Sequence, residues 1–248
     1  SDSVPRLSPE NFSGFLEVHL EQGKELEDAG VPLGIVTHIA SPWRWWIRVR
    51  GEQGHTGGAA MADRRDALAG AADLVLAAEH IGNLWEPKGV RVTVGVLRAY
   101  PGLINSIAGL VELGVDLRGT DTENVVVAKD ALFQRVEQIA VRRNLRIESE
   151  VITEGRPYAV PPRMVDLARK AALEQGIQAP AMISWSAHDA MHMGRVAPSG
   201  LLFVRNKTGV SHHPEERVRP EDLVTGTLIL RKLLQKCSES SLTSGSEG

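Results

Sequence analysis

The chain has 248 residues, a formal net charge of -3 and a single cysteine, Cys237. Mixed charges with no basic stripe exclude a phosphate-backbone reader, no apolar run approaches the roughly 20 residues that span a bilayer, and one cysteine excludes an intrachain disulfide and a Cys-rich zinc site. The expectation is a soluble, cytoplasmic globular protein with no nucleic-acid or membrane partner, in which any metal is held by His and carboxylates.

In chain order, the first element is LEVHLEQG, Leu16 to Gly23. Leu16, Val18 and Leu20 alternate with Glu17, His19 and Glu21, so a strand here sends the apolar trio to a core and lines the other three along the opposite face. That face is solvent or the floor of a site. The helix KELEDAG, ending at Gly30, and the strand GIVTHIAS follow.

From Trp43 to Gly155 the pattern reads strand, helix, strand, strand, helix, strand. The strands are WRWWIRVRGEQ, VRVTVGVLRAY, LVELGVDLRGT and LRIESEVITEG, and the helices are ADRRDALAGAADLVLAAEHIG and TENVVVAKDALFQRVEQIAVRRN. Thr120 or Thr122 is the expected cap of the second helix. This order is a split βαβ, ferredoxin-like unit with two helices on one face of an antiparallel sheet. Trp43, Trp45 and Trp46 read as sheet-packing residues.

After the unit come a helix opened by Pro161 and Pro162 and stopped near Gly176, strand AMISW, a loop, strand LLFV, a second loop, and helix EDLVTGTLILRKLLQK. Strand-helix alternation on both sides implies an α/β domain into which the compact unit is inserted. The domains are expected at 1–39 and 157–237 for the two parts of the outer α/β domain and 40–156 for the insert. The opening residues and the tail 238–248 are expected to be mobile. With about four strands and two good helices, the outer domain reads as incomplete.

Chemistry concentrates in five segments: LEVHLEQG, RGEQGHTGGAAMADRRDA, PGLINSIAGLVELGVDLRG, SWSAHDAMHMG and TGVSHHPEERV. The last places two histidines in a Gly, Ser and Pro loop after a strand, where α/β domains hold ligands. A lone His-His pair is also an ordinary surface loop. Arg118 alone is an ordinary solvated edge charge, Asn105 an ordinary turn former, and His188 with Asp189 an ordinary start to a short helix. His213 reads as solvated.

Together, and in order, the segments resemble the hydantoinase and carbamoylase branch of the M20 metallo-amidohydrolases. E-x-H-I-E-Q-G is matched by Glu17-Val18-His19-Leu20-Glu21-Gln22-Gly23. G-x-x-x-H-A-G-T-T-P-M with R-x-D-A is matched by Gly51 through Met61 and Arg64-Arg65-Asp66-Ala67. Asn105 with Asp116-Leu117-Arg118, Ala187-His188-Asp189-Ala190, and Ser211-His212-His213-Pro214-Glu215-Glu216 match the remaining patterns. The resemblance spans about residues 15 to 236.

It implies a partial metallopeptidase-like α/β domain and an inserted lid that forms homodimers. It also implies His19 and His212 as ligands of a divalent metal, zinc or manganese, two ions per complete site. Gln22, Asn105, Arg118 and His188 would contact substrate, and His55 would act on the reacting carbonyl from a neighbouring subunit. The implied reaction is hydrolysis of C–N bonds in ureido or amide substrates such as N-carbamoyl-L-amino acids. The alternatives are an M20 peptidase or acyl-amino-acid deacylase, and an inactive dimerising or ligand-binding module.

Departures matter as well. The family's H-x-D-T segment, bridging Asp and Glu-Glu pair have no counterpart, so the chain is expected to be the C-terminal half of such an enzyme, with an incomplete metal site and no activity alone. Thr56 stands for Ala after the histidine, and Gly58-Ala59-Ala60 for T-T-P.

Overall fold

The computed structural model describes residues 12–243. The chain forms two compact units: one ends at Ile39 and resumes at Tyr158, and the other is Ala40–Pro157.

The first unit is built on a mixed sheet. β1 (Phe15–Leu20), β2 (Leu33–Ile39), β10 (Ala181–Ser184) and β11 (Ser199–Val204) run in the order β1-β11-β2-β10, and the short β9 (Tyr158–Ala159) pairs with β2. β1 is parallel to β11, whereas β11 is antiparallel to β2. Alternation along β11 splits the core in two. Leu202 packs with α4 (Pro162–Leu173) and α6 (Pro220–Thr243) through Met164, Ala168, Ile229 and Leu233, and Leu201 and Phe203 pack with Leu26, Ala190 and Met191 on the opposite face. The latter three belong to α1 (Glu25–Ala29) and α5 (Asp189–Met193).

β1 obeys the same rule. Leu16 and Val18 join the α4 and α6 side, while Phe15 joins the α5 side, which carries Glu17 and His19 towards α5 as well. α1 ends at Gly30 in the left-handed conformation with φ 68°. The segment expected to be mobile from residue 238 continues as α6 to Thr243; residues 244–248, and the opening residues 1–11, lie outside the described residues.

The second unit holds β3 (Ser41–Arg50), α2 (Ala67–Trp85), β5 (Val90–Tyr100), β7 (Leu110–Gly119), α3 (Thr122–Arg143) and β8 (Arg146–Glu154). Its sheet order is β5-β7-β3-β8, antiparallel throughout, which is the ferredoxin-like arrangement. Trp43, Trp45, Ile47 and Val49 of β3 and Val111, Leu113, Val115 and Leu117 of β7 pack against both helices. The other face is open and charged. Arg44 lies opposite Asp116 and Arg48 opposite Glu112, and Trp46 is on this face, with the Arg98 guanidinium 5.9 Å above its ring.

Two helix starts differ from expectation. α2 begins at Ala67, because the Asp66 carboxylate accepts the Leu68 and Ala69 N–H groups at 2.9 and 3.2 Å; Met61–Asp63 form a separate 3-10 turn. α3 is capped by Asp121, which accepts the Asn124 N–H at 2.9 Å, in place of Thr120 or Thr122. In both cases a carboxylate, a stronger acceptor than a hydroxyl and favoured by the helix dipole, takes the cap. A small two-stranded sheet, β4 (Gly54–His55) with β6 (Ser106–Ile107), was not evident in the sequence.

Candidate functional site

In the first unit the parallel pairing of β1 with β11 decides the layout. His19 lies beside Phe203 and Leu20 beside Val204, so the chain leaving each strand emerges at the same end. The loop after β1 carries Gln22, and the loop after β11, residues 205–219, carries His212.

His19 Nδ1 is 2.8 Å from Leu20 O. A carbonyl only accepts, so Nδ1 carries the hydrogen, and in the neutral ring Nε2 bears the lone pair of a metal ligand. His188 stacks edge-on against His19 with ring centroids 4.8 Å apart and against Phe203 at 5.5 Å. It is 6 % exposed. Its Nε2 lies 2.8 Å from the Ser184 hydroxyl, which also contacts Ser186 O, and its Nδ1 lies 3.4 Å from Glu17 Oε1. His188 is therefore held inside the unit as a packing partner of His19.

Glu17 and Glu21, aligned with His19 in the sequence, have separate duties. Glu17 Oε2 accepts the Ala190 N–H at 2.7 Å and so ties β1 to the first turn of α5. Burial alone would raise this carboxyl, but the hydrogen bonds from His188 and the Ala190 N–H outweigh it and hold it below its ordinary value. Glu21 accepts the N–H groups of Glu25 and Leu26 at 2.7 and 3.0 Å, closing the start of α1. Burial, only partly offset by those donors, lifts its carboxyl above the ordinary value.

Gln22 Oε1 and Ser211 Oγ are buried and have no hydrogen-bond partner among the described residues. His212 is exposed and has a left-handed backbone, φ 57°. His213 is also exposed, its Nδ1 accepting the Glu215 N–H at 3.2 Å.

The loop bearing His212 is fixed by residues that the motifs did not single out. Asn206, fully buried, donates to Glu21 O at 3.0 Å and Val210 O at 2.8 Å, and its Oδ1 accepts from the N–H groups of Thr208 and Gly209. Arg205 forks onto Asp222 with two 2.9 Å bonds, and Arg219 reaches Glu27 at 2.7 Å. The only trace in the sequence is the turn-forming run Asn206-Lys207-Thr208-Gly209 after a strand. Among the described residues, no group of three or more His, Cys, Asp and Glu side chains could enclose a metal ion. The donor set fits a metal only as single imidazole ligands from His19 and His212.

In the second unit, β4 and β6 bring together Gly54 with Ile107 and His55 with Ser106. His55 is opposite Ser106, and the Thr56 N–H and hydroxyl both point to Asn105 O, at 3.1 and 3.3 Å. Thr56, one of the departures from the family pattern, thus ties the His55 loop to Asn105. Gly57 N–H donates to His55 Nδ1 at 3.1 Å, so the ring hydrogen is on Nε2, the opposite arrangement to His19. Arg118 is half-buried on the open sheet face, with Nε 2.7 Å from Asp116 Oδ1 and Nη2 3.3 Å from Oδ2. Asp116 also accepts from Arg44 at 2.6 Å. Burial pushes the Asp116 carboxyl up, but the two guanidiniums overcome this and hold it below its ordinary value.

Comparison with known proteins gives the lineage. The model of peptidase family M20/M25/M40 matches residues 5–236. The chain belongs to this M20 family. The Geobacillus stearothermophilus N-carbamoyl-L-amino acid amidohydrolase is 35% identical over 234 residues, 92% of this chain and 56% of that protein. The Arabidopsis thaliana ureidoglycolate hydrolase is 35% identical over 237 residues, 94% of this chain and 49% of that protein. A hydantoinase/carbamoylase family amidase from Burkholderia multivorans superposes with a TM-score of 0.86 at 31% identity, covering 91% of this chain and 55% of the amidase. A crystal structure of AtUAH in complex with (S)-hydroxyglycine gives 0.83 at 34% identity, covering 94% and 55%. The M20 chain thus spans about half the length of the relatives it matches, and it shares the α/β fold of M20 amidases. No helix among its described residues is long and apolar enough to cross a membrane.

Proposed function

We propose that this chain supplies the C-terminal part of a metal-dependent C–N hydrolase acting on N-carbamoyl or ureido amino-acid-like substrates. The observation that carries the reading is the contrast between its two histidines. Leu20 O leaves His19 with an Nε2 lone pair suited to a metal, whereas Gly57 N–H leaves His55 with an Nε2–H suited to a carbonyl oxygen. Bound divalent metal would supply an activated water and polarise the carbonyl.

His19 and His212 would each provide one imidazole ligand. The remaining ligands and the base would come from a segment matching the part of the relatives that this chain does not cover. Gln22 would offer its amide to the substrate. His55 would donate Nε2–H to the carbonyl oxygen as negative charge grows there. Asn105 and Arg118 would bind the substrate carboxylate, the latter sharing its guanidinium with Asp116. His188 would hold the His19 ring in place. The second unit would act as a lid and dimerise through β5, an edge strand of its sheet. Zinc and manganese both suit imidazole with oxygen ligands.

The absence of a three-ligand cluster among the described residues favours a second reading of the chain in isolation, a dimerising module that binds substrate without turning it over. Co-expression with the N-terminal half of an N-carbamoyl-L-amino acid amidohydrolase separates the two. The hydrolase reading expects metal-dependent release of amino acid from N-carbamoyl-L-amino acids, lowered by about two to three orders of magnitude in His55→Ala and by about 2–3 kcal/mol in transition-state binding in Arg118→Lys. A complex that binds metal but hydrolyses nothing, or hydrolyses equally well in both variants, refutes it.

A further inference from the structure

The His55 loop is closed from behind by a residue outside the proposed substrate-contacting set. Arg64 follows the 3-10 turn, and its Nη2 is 2.6 Å from Thr56 O and 3.1 Å from Ala59 O, with Nε 3.2 Å from Ala59 O. Thr56 C=O and Gly57 N–H are the two ends of one planar peptide group. The oxygen end is held by the guanidinium, and the hydrogen end is bonded to His55 Nδ1 at 3.1 Å. A single amide therefore links a permanent positive charge to the imidazole.

We infer that Arg64 is a positioning residue that, through the Thr56–Gly57 peptide, holds His55 as the Nε2–H tautomer and fixes the direction of that hydrogen. Two physical effects act together. A charged donor on the carbonyl withdraws electron density from the amide, which strengthens its N–H as a donor to Nδ1. Arg64 also blocks the flipped peptide, in which the carbonyl would face the Nδ1 lone pair and the N–H would face the guanidinium.

Gly57 makes that flip accessible, because the flip turns ψ of Thr56 against φ of Gly57 and a residue without Cβ tolerates both arrangements, and a second glycine, Gly58, follows it. Neither glycine has a left-handed φ, and a Cβ at position 57 would meet the imidazole only at an ordinary 3.4 Å. The loop conformation is therefore not imposed by the glycines, and the restraint comes from the bonds of Arg64. A lysine could reach one carbonyl as a point charge but could not span both Thr56 O and Ala59 O. The coupling itself is a property of this chain; its catalytic consequence rests on the reading of His55 as donor to the substrate carbonyl.

The test uses the whole ¹⁵N-labelled chain by NMR, at alkaline pH where imidazoles are neutral. In the wild type the Gly57 amide is expected to be protected from exchange, with His55 Nδ1 a lone-pair nitrogen and Nε2 protonated. Arg64→Ala should lower Gly57 protection by about tenfold or more, the equivalent of one hydrogen bond, and move both His55 ring signals towards tautomer averaging. Arg64→Lys should fall between the two. Amides of α2 and β7 report whether the unit stays folded; if Arg64→Ala loses them, the comparison is made on Arg64→Lys. A folded variant with unchanged Gly57 exchange and unchanged His55 signals overturns the inference and leaves the hydrolase reading standing. Intact coupling in a reconstituted complex that hydrolyses nothing refutes that reading and leaves the inference standing. In an active complex, Arg64→Ala should lower kcat with KM little changed.

Discussion

Asn206→Ala tests how the His212 loop is held. The side chain is fully buried and makes two donor bonds, to Glu21 O and Val210 O, and accepts from Thr208 and Gly209. Val210, Thr208 and Gly209 are wholly or partly exposed, so water replaces much of what they lose, at about 0.5 kcal/mol each. Glu21 is buried, and its stranded carbonyl costs about 1–3 kcal/mol. The total is about 2.5–4.5 kcal/mol, which corresponds to about a 60- to 1,600-fold rise in opening. Tryptophan fluorescence is a poor probe, since Trp43, Trp45, Trp46 and Trp85 lie in the other unit and dominate the signal of the single Trp185 in this one. Native-state hydrogen exchange, read on amides of residues 205–219 and of β1, is the suitable assay. Asn206→Asp should be at least as damaging at neutral pH, because it places a carboxylate oxygen against two carbonyls. A rise below about fivefold for Asn206→Ala would show instead that Arg205, Asp222, Arg219 and Glu27 hold the loop unaided.

Gly209→Ala should destabilise the same loop by more than Gly30→Ala, measured by denaturant midpoints. Both have a left-handed φ, 69° and 68°, but a Cβ at 209 would run into Lys24 Cγ while one at 30 meets nothing within 4 Å among the described residues. Asp116→Asn should flatten the acid limb of the second unit's stability curve. The folded carboxyl is held below its ordinary value, so its contribution is present above the unfolded value of about 3.8 and is lost as pH falls through the folded pKa. Dialysed chain should hold well under one equivalent of zinc or manganese by elemental analysis, and His19→Ala or His212→Ala should lower what binding remains; two tightly held ions per chain would overturn the proposed division of ligands. Light scattering should show dimers of the full chain at about micromolar concentration, consistent with pairing through the β5 edge, and a clean monomer would argue against the lid proposal.

Whatever depends on short-range periodicity is legible in the order of the residues. Alternation in β3 sorted Trp43, Trp45, Ile47 and Val49 to one face, and the order of strands and helices was enough for the ferredoxin-like unit, because each element's burial pattern is written in its own residues. The ordered motifs were also enough for the family. Tertiary structure decided which polar group each site residue meets, since partners such as Glu17 with Ala190 N–H or Asn206 with Glu21 O are separated by more than 170 positions and leave no local signature. The cap of α3 depended on which side chain, Asp121 or a neighbouring threonine, the backbone turned towards Asn124 N–H, and the carboxylate is the better acceptor of the two. The tautomers of His19 and His55 were the least legible. Each is set by one backbone group, a carbonyl at Leu20 and an N–H at Gly57, and only the folded path of the chain determines which end of a peptide faces an imidazole.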